Sequence, residues 1–177
     1  CDADLSVSNL IDSDLRGADL SGSELCRTDC SSADLRTVNL SGVNLRGANL
    51  SRVTLQQFDL RGIRLQQVNF TQAQLVAANF VQADLQGVIL LGANLQGAYL
   101  QEANLQKAYL DKANLKSANL SWGQLQQANL TGADLSQAVL CDSNLTQANL
   151  LRTNLAGADM RQANLKQAIC EETQFIE

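Results

Sequence analysis

Every residue of this chain whose number is a multiple of five occupies an apolar place. Of the 35 such centres from Leu5 to Phe175, 29 are Leu and the others are Cys30, Phe70, Phe80, Met160, Cys170 and Phe175. Call a centre i. Position i−2 is Ala in 20 of the 35 repeats and mostly Ser, Thr or Val elsewhere, with two large exceptions at Phe58 and Ile63. Position i−1 is mostly Asn or Asp, as in Asn39, Asn44, Asn49 and Asn104, and polar residues or Gly follow at i+1 and i+2. The stretch from Leu90 to Leu130 repeats the word without a slip.

A period of five suits neither common element. Five residues of α-helix turn through about 140°, so the leucines would spiral round every face. In a strand an odd spacing would throw successive leucines to opposite faces. The pattern is met by a short extended piece in which i and i−2 point the same way, followed by a corner at i+1 and i+2. Repeated, strand and corner wind the chain into a coil with i and i−2 inside, each coil stacking on the last by parallel main-chain hydrogen bonds about 4.8 Å apart. Ten of the eleven glycines lie at i+2, where a corner of unusual backbone conformation would put them, and Gly123 alone lies at i−2. The Asn and Asp side chains at i−1 are placed either to bond the backbone of the turn or to ladder from coil to coil. Phe58 and Ile63, neighbours in the small-residue position, predict a locally fatter coil or a changed corner.

Words such as Ala18-Asp19-Leu20-Ser21-Gly22 and Ala113-Asn114-Leu115-Lys116-Ser117 resemble the A(D/N)LXX unit of the pentapeptide repeat family over the whole chain. The resemblance implies an all-β fold, a right-handed quadrilateral parallel β-helix with four repeats per coil. For residues 1–177 that is one domain of nearly nine coils, a rod on the order of 40 Å long at about 4.8 Å per coil. Members range from DNA-mimicking topoisomerase protectors to cyanobacterial and plastid proteins, so the family implies little about activity. The regularity and length of the array are also similar to the repeat region of cyanobacterial heterocyst glycolipid-deposition proteins. The chain begins in mid-repeat and shows no capping helix, so it is expected to be part of a longer polypeptide.

Composition narrows the chemistry. The chain has no His and no Pro, and its 45% apolar residues are mostly Leu and Ala. The commonest general base is therefore missing, the register has no inserted loop to hold a site, and the carboxylates are scattered. Gly87, Gly92 and Gly97 recur every five residues without the Lys-Ser/Thr ending of a phosphate cradle. No enzyme, cofactor or metal site is expected. Among the five cysteines, Cys30 and Cys170 occupy inward centres, where a thiol acts as a small buried hydrophobe, and Cys1, Cys26 and Cys141 are outward. None has disulfide or metal-ligand spacing, which favours a reducing compartment. No run of apolar residues is long enough for a membrane span, although a longer parent chain could be membrane-attached.

Charge bears on the DNA-mimic alternative. The net charge of −5 splits along the chain: residues 1–35 carry −6, residues 36–127 carry +4 and residues 128–177 carry −3. An acidic rod with a basic waist is a poor copy of a uniformly charged duplex. The waist lacks the clustered bases and interleaved aromatics of a nucleic-acid surface, so nucleic acid is not an expected partner.

Four-fold coiling stacks residues that are 20 apart. On that geometry Val81, Tyr99, Trp122, Val139 and Cys141 point outward along one face, and Ile89, Leu91 and Tyr109 do so on the opposite face. These are the candidate protein-contact residues, since exposed clusters with Trp and Tyr mark protein contacts. The run Ile169, Phe175 and Ile176 is a candidate docking end, including end-to-end self-association. The expected role is a non-catalytic scaffold or protein-interaction rod, with regulation of a topoisomerase by DNA mimicry as the alternative.

Overall fold

The leucines and the small residues two places before them share one inside, and the chain turns a corner after each pair to keep them there. In the computed structural model, which describes residues 2–175, parallel bridges join i−1 residues 20 apart, such as Asn94 to Asn114 and Asn114 to Asp134. Four five-residue repeats therefore complete one coil, and the product is a four-sided parallel β-helix. The described residues contain no helix. Cys1 and Ile176, singled out in the sequence, lie outside the described residues.

The repeat Ala113 to Ser117 shows why the word reads as it does, because each of its five amides has a different acceptor. Ala113 N–H closes the turn on Leu110 O at 3.0 Å, Asn114 N–H reaches down to Ala93 O at 2.9 Å, and Leu115 N–H reaches up to Asp134 O at 2.7 Å. Ser117 N–H donates to Ser136 O at 2.9 Å. The amide left over, Lys116 N–H, is taken by the Asn114 side-chain oxygen at 3.1 Å. Buried and half-buried amides have to be paired, and the main chain leaves only this one to a side chain. That requirement places Asn or Asp at i−1. The same side chain also ladders, since Asn114 Nδ2 donates to Asn94 Oδ1 at 3.2 Å. Turn cap and coil-to-coil ladder, alternatives in the sequence, are both made by one residue.

The corners hold a second regularity. Every i+2 residue from Val7 to Glu172 has positive φ, 24 of them non-glycine and ten glycine. A β-turn with a positive second central φ is what the turn bond from i+3 N–H to i O encloses. Glycine marks this conformation in the sequence but is not required by it.

The core is one column of stacked leucines. Volume at i and i−2 is shared, so a large centre is tolerated beside a small partner. Phe70 and Phe80 are wholly buried with Val68 and Ala78 at their i−2 positions, their rings meeting edge to face at 6.3 Å. Inward threonine hydroxyls find carbonyls on the coil before them, as Thr153 Oγ1 does with Leu130 O at 2.8 Å, whereas inward Ser143 Oγ bonds Leu140 O of its own turn at 2.7 Å. Cys30 is buried among the leucines, which pushes its thiol up to about 11. Cys170, placed inward by the repeat and expected to be buried, is exposed because no further coil lies over its described neighbours.

The column fails at one level. Phe58 and Ile63 each bring a large side chain to i−2 beside a leucine centre, and neither fits fully inside; both are only partly buried. Among the described residues no bridge joins Asp34 to Thr54, Asn39 to Asp59 or Asn44 to Arg64, although the bridges directly below and above all form. Pairing survives on the fourth side, where Asp29, Asn49 and Asn69 are joined in sequence. The coil expected to be fatter or to change its corner has instead lost its bridges to its neighbour on three of four sides; it is hinged on the last and on the adjoining corner, where Gly47 N–H donates to Gln66 O at 3.0 Å. A groove of about 910 Å³ opens there, lined by Val38, Leu40, Phe58, Asp59, Arg61 and Ile63 among others.

Candidate interaction surface

The outward apolar residues Ile89, Tyr99, Tyr109 and Val139 occur where the repeat normally puts Asn or Asp, and each one removes a hydrogen bond. Tyr99 sits between Asn79 and Asn119 in the bridged column of one face, and Val139 follows Asn119. With no oxygen at Tyr99 to accept it, the Gln101 amide has no protein partner, whereas Ser121 N–H is capped by Asn119 Oδ1 at 3.0 Å. Losing such a bond costs about 1 kcal/mol. Tyr99 and Trp122 are 49% and 56% exposed, so burial within the chain does not offset that cost. Trp122 stands at an i+2 corner with φ of 57°, its amide held by Cys141 O at 2.9 Å.

On the opposite side Ile89 and Tyr109 bridge directly on adjacent coils, and Leu91 lies beside them. Leu91 and Tyr109 are exposed, while Val81, Ile89 and Val139 are half-buried. The structure thus brings Ile89, Leu91 and Tyr109 together on one side. It sets Val81, Tyr99, Trp122 and Val139 in a broken column on the other, with Asn119 intervening. Val81 also lies at the mouth of the groove beneath that column. Of the candidate contact residues only Val81 lines the groove; the signal for it in the sequence is the pair Phe58 and Ile63.

Electrostatics assigns the acids structural work. In the words Asp14-Leu15-Arg16, Asp34-Leu35-Arg36, Asp59-Leu60-Arg61 and Asp159-Met160-Arg161, the arginine folds back on the carboxylate two residues earlier. Arg16 and Asp14 meet at 2.6 Å, Arg61 and Asp59 at 2.7 Å. The side-chain bond from Arg161 is the main cause holding the Asp159 carboxyl well below the usual carboxylate range. Other acids are acceptors in the ladder, as Asp19 Oδ1 takes Ser21 N–H and Asn39 Nδ2, both at 3.0 Å. No group of three or more potential metal ligands clusters among the described residues. No helix among them is long and apolar enough to cross a membrane.

The Pentapeptide repeats family profile matches residues 3–42, 28–67, 55–92, 93–132 and 133–169. The chain belongs to the pentapeptide repeat family. Its coil is accordingly the right-handed quadrilateral β-helix of pentapeptide repeat proteins. Among solved structures it is similar to HetL from the cyanobacterium Nostoc sp. strain PCC 7120, a pentapeptide repeat protein involved in heterocyst differentiation regulation. The two are 29% identical over 97% of this chain and 88% of HetL, with a TM-score of 0.46. A trypsin-treated variant of QnrB1, a plasmid-mediated fluoroquinolone resistance protein, is 22% identical over 93% of this chain and 89% of that one, with a TM-score of 0.57. The latter is a likeness of fold. No curated protein sequence matches the chain.

Proposed function

We propose that this pentapeptide repeat chain is a non-catalytic interaction rod that docks partner proteins on its outward aromatic face. The observation that carries the reading is the exchange of a capping Asn for Tyr99 beside the exposed Trp122. The fold gives up a hydrogen bond there and shows aromatic surface in its place, and clustered exposed aromatics are suited to protein contact. Val81 and Val139 extend this face, and Ile89, Leu91 and Tyr109 form a second, smaller patch opposite.

Duplex mimicry is the weaker reading. It needs a long surface of free carboxylates, and here four aspartates are neutralised by arginines two residues on while others serve as turn acceptors. A finer placement, beside a cyanobacterial membrane in envelope or glycolipid deposition, is supported only by the regularity and length of the array. Whether the full-length polypeptide fractionates with membranes tests that placement.

The test of the docking face uses the repeat's own preferences. Tyr99→Asn restores the ladder residue and Trp122→Gln installs a common corner residue. The double variant should be at least as stable as the parent, with a gain near 1 kcal/mol from the regained cap. Its association with co-purifying proteins or with itself, followed by sedimentation and cross-linking, should be lost. Unchanged association with raised stability would leave the aromatics as surface decoration and end the proposal.

A further inference from the structure

The parted coils leave two facing rows of unused backbone groups. On the lower rim Leu40 N–H and Gly42 N–H have no protein acceptor, and Val38 O has no amide donor. On the upper rim Asp59 N–H, Asp59 O and Arg61 O are likewise without backbone partners. One level higher on the same side the equivalent groups are all paired, with Leu60 N–H on Asn79 O at 2.8 Å, Gly62 N–H on Val81 O at 3.1 Å and Asn79 N–H on Phe58 O at 2.9 Å. Along the chain the lower rim therefore offers one acceptor followed by two donors, and the upper rim one donor followed by two acceptors.

We infer that the groove between Val38–Gly42 and Phe58–Gly62 is a binding site for an extended segment of a partner polypeptide, which enters as an added β-strand. Main chain is the chemistry that meets both rims: an extended segment running parallel to the coils presents C=O groups to Leu40 and Gly42 and an N–H to Val38. On its other edge it presents N–H groups to Asp59 O and Arg61 O and a C=O to Asp59 N–H. Strand addition of this kind draws affinity from main-chain bonds and selectivity from alternate side chains. Val38, Leu40, Phe58 and Ile63 give the inner side apolar walls, and the Asp59–Arg61 pair sits on the outer lip. The occupant is thus a segment of alternating apolar and polar residues, its apolar side chains turned inward. Seating it requires rims about 9.6 Å apart, two ladder spacings, and the surviving Asn49–Asn69 side is the hinge about which they swing. The groove lies on the face that carries Val81, Tyr99 and Trp122, so a partner held by its strand would overlie the aromatics. The site is nevertheless separate from them, and its test leaves Tyr99 and Trp122 in place.

Phe58→Ala with Ile63→Ala gives this coil the residue that most others carry at i−2, and it should close the ladder without loss of folding. Hydrogen exchange of the whole chain should show the Leu40, Gly42 and Asp59 amides exchanging at least about tenfold faster than Leu100, Gly97 and Asn119, and the double variant should slow them to match. Ten-residue peptides displayed on phage, selected on the parent chain, should converge on alternating apolar and polar sequences and should fail to bind the double variant. The selected synthetic peptide should protect the Leu40, Gly42 and Asp59 amides. N-methylation of its paired amides should weaken binding by about tenfold or more. Four results would each overturn the inference: rim amides already protected in the free parent, no peptide enriched, peptides bound equally by the double variant, or N-methylation without effect.

Discussion

At the scale of single residues, each position of the word answers one physical demand. The centre fills the column, i−2 fills what the centre leaves, and i−1 caps the amide that the coils cannot. The D-L-R words add a charge pair to this frame. The Arg16 guanidinium bonds the Asp14 carboxylate in two places and holds its carboxyl at about 2, below its ordinary 3.8. A folded-state value that is lowered stabilises above the ordinary value and ceases to do so as pH falls from near 4 toward 2. Both groups are exposed, so the effect on stability is small, and the midpoint itself is the useful readout. Arg16→Gln should return the Asp14 midpoint in a carboxyl NMR titration toward 3.8. A midpoint that stays near 2 would mean the turn amide, not the guanidinium, sets it.

At the scale of one repeat, the cap and the ladder can be separated. Asn114→Ala removes both the bond to Lys116 N–H and the bond to Asn94 Oδ1, and should cost about 1–2 kcal/mol in denaturant unfolding. Asn114→Asp keeps the acceptor and drops the donor, so it should recover roughly half of that loss. Equal losses in the two variants would show that the ladder alone matters.

This is also the scale at which the sequence could be read and where it fell silent. A period of five excluded helix and plain strand and left a coil, and glycine at i+2 marked the corner. Residues 99, 109 and 122 stood out as apolar in polar places, which was enough to find both outward patches. Positive φ at Gln127 or Trp122 was not legible, because neither residue marks that conformation as glycine does. Nor was the exposure of Cys170, since a repeat fixes which way a side chain points but not what lies above it. Phe58 and Ile63 announced a misfit without its outcome. Swelling the coil would have kept the ladder and left a looser column; parting kept the leucines packed and sacrificed hydrogen bonds that water can replace. That balance depends on neighbouring coils and on the solvent, and no single word contains it.

At the scale of the molecule, a stack in which each coil touches only its neighbours is as cooperative as its weakest contact. Between residues 33–52 and 53–72 that contact keeps its bridge on one side of four, Asn49 to Asn69, with Gly47 N–H on Gln66 O at the adjoining corner. Urea unfolding followed by hydrogen exchange should therefore resolve two steps, with the coils before residue 46 opening at lower denaturant than those after residue 65. Phe58→Ala with Ile63→Ala should merge them into one. A single step in the parent chain would show that the hinge side alone couples the halves.

The twenty-residue period has a further consequence. Compass bearing round the rod is a count of words, modulo four, and height is the same count divided by four. Leu60 and Leu100 are eight words apart, two complete revolutions, so the groove at one and the aromatics at the other look the same way. Had one word been lost between them, the register and the core would read as before, yet the two would face directions a quarter revolution apart. Gain or loss of a word is thus a rotary adjustment of whatever lies above it, made in steps of 90°. In a rod of this design, the angle between two binding features is written in the length of chain that separates them.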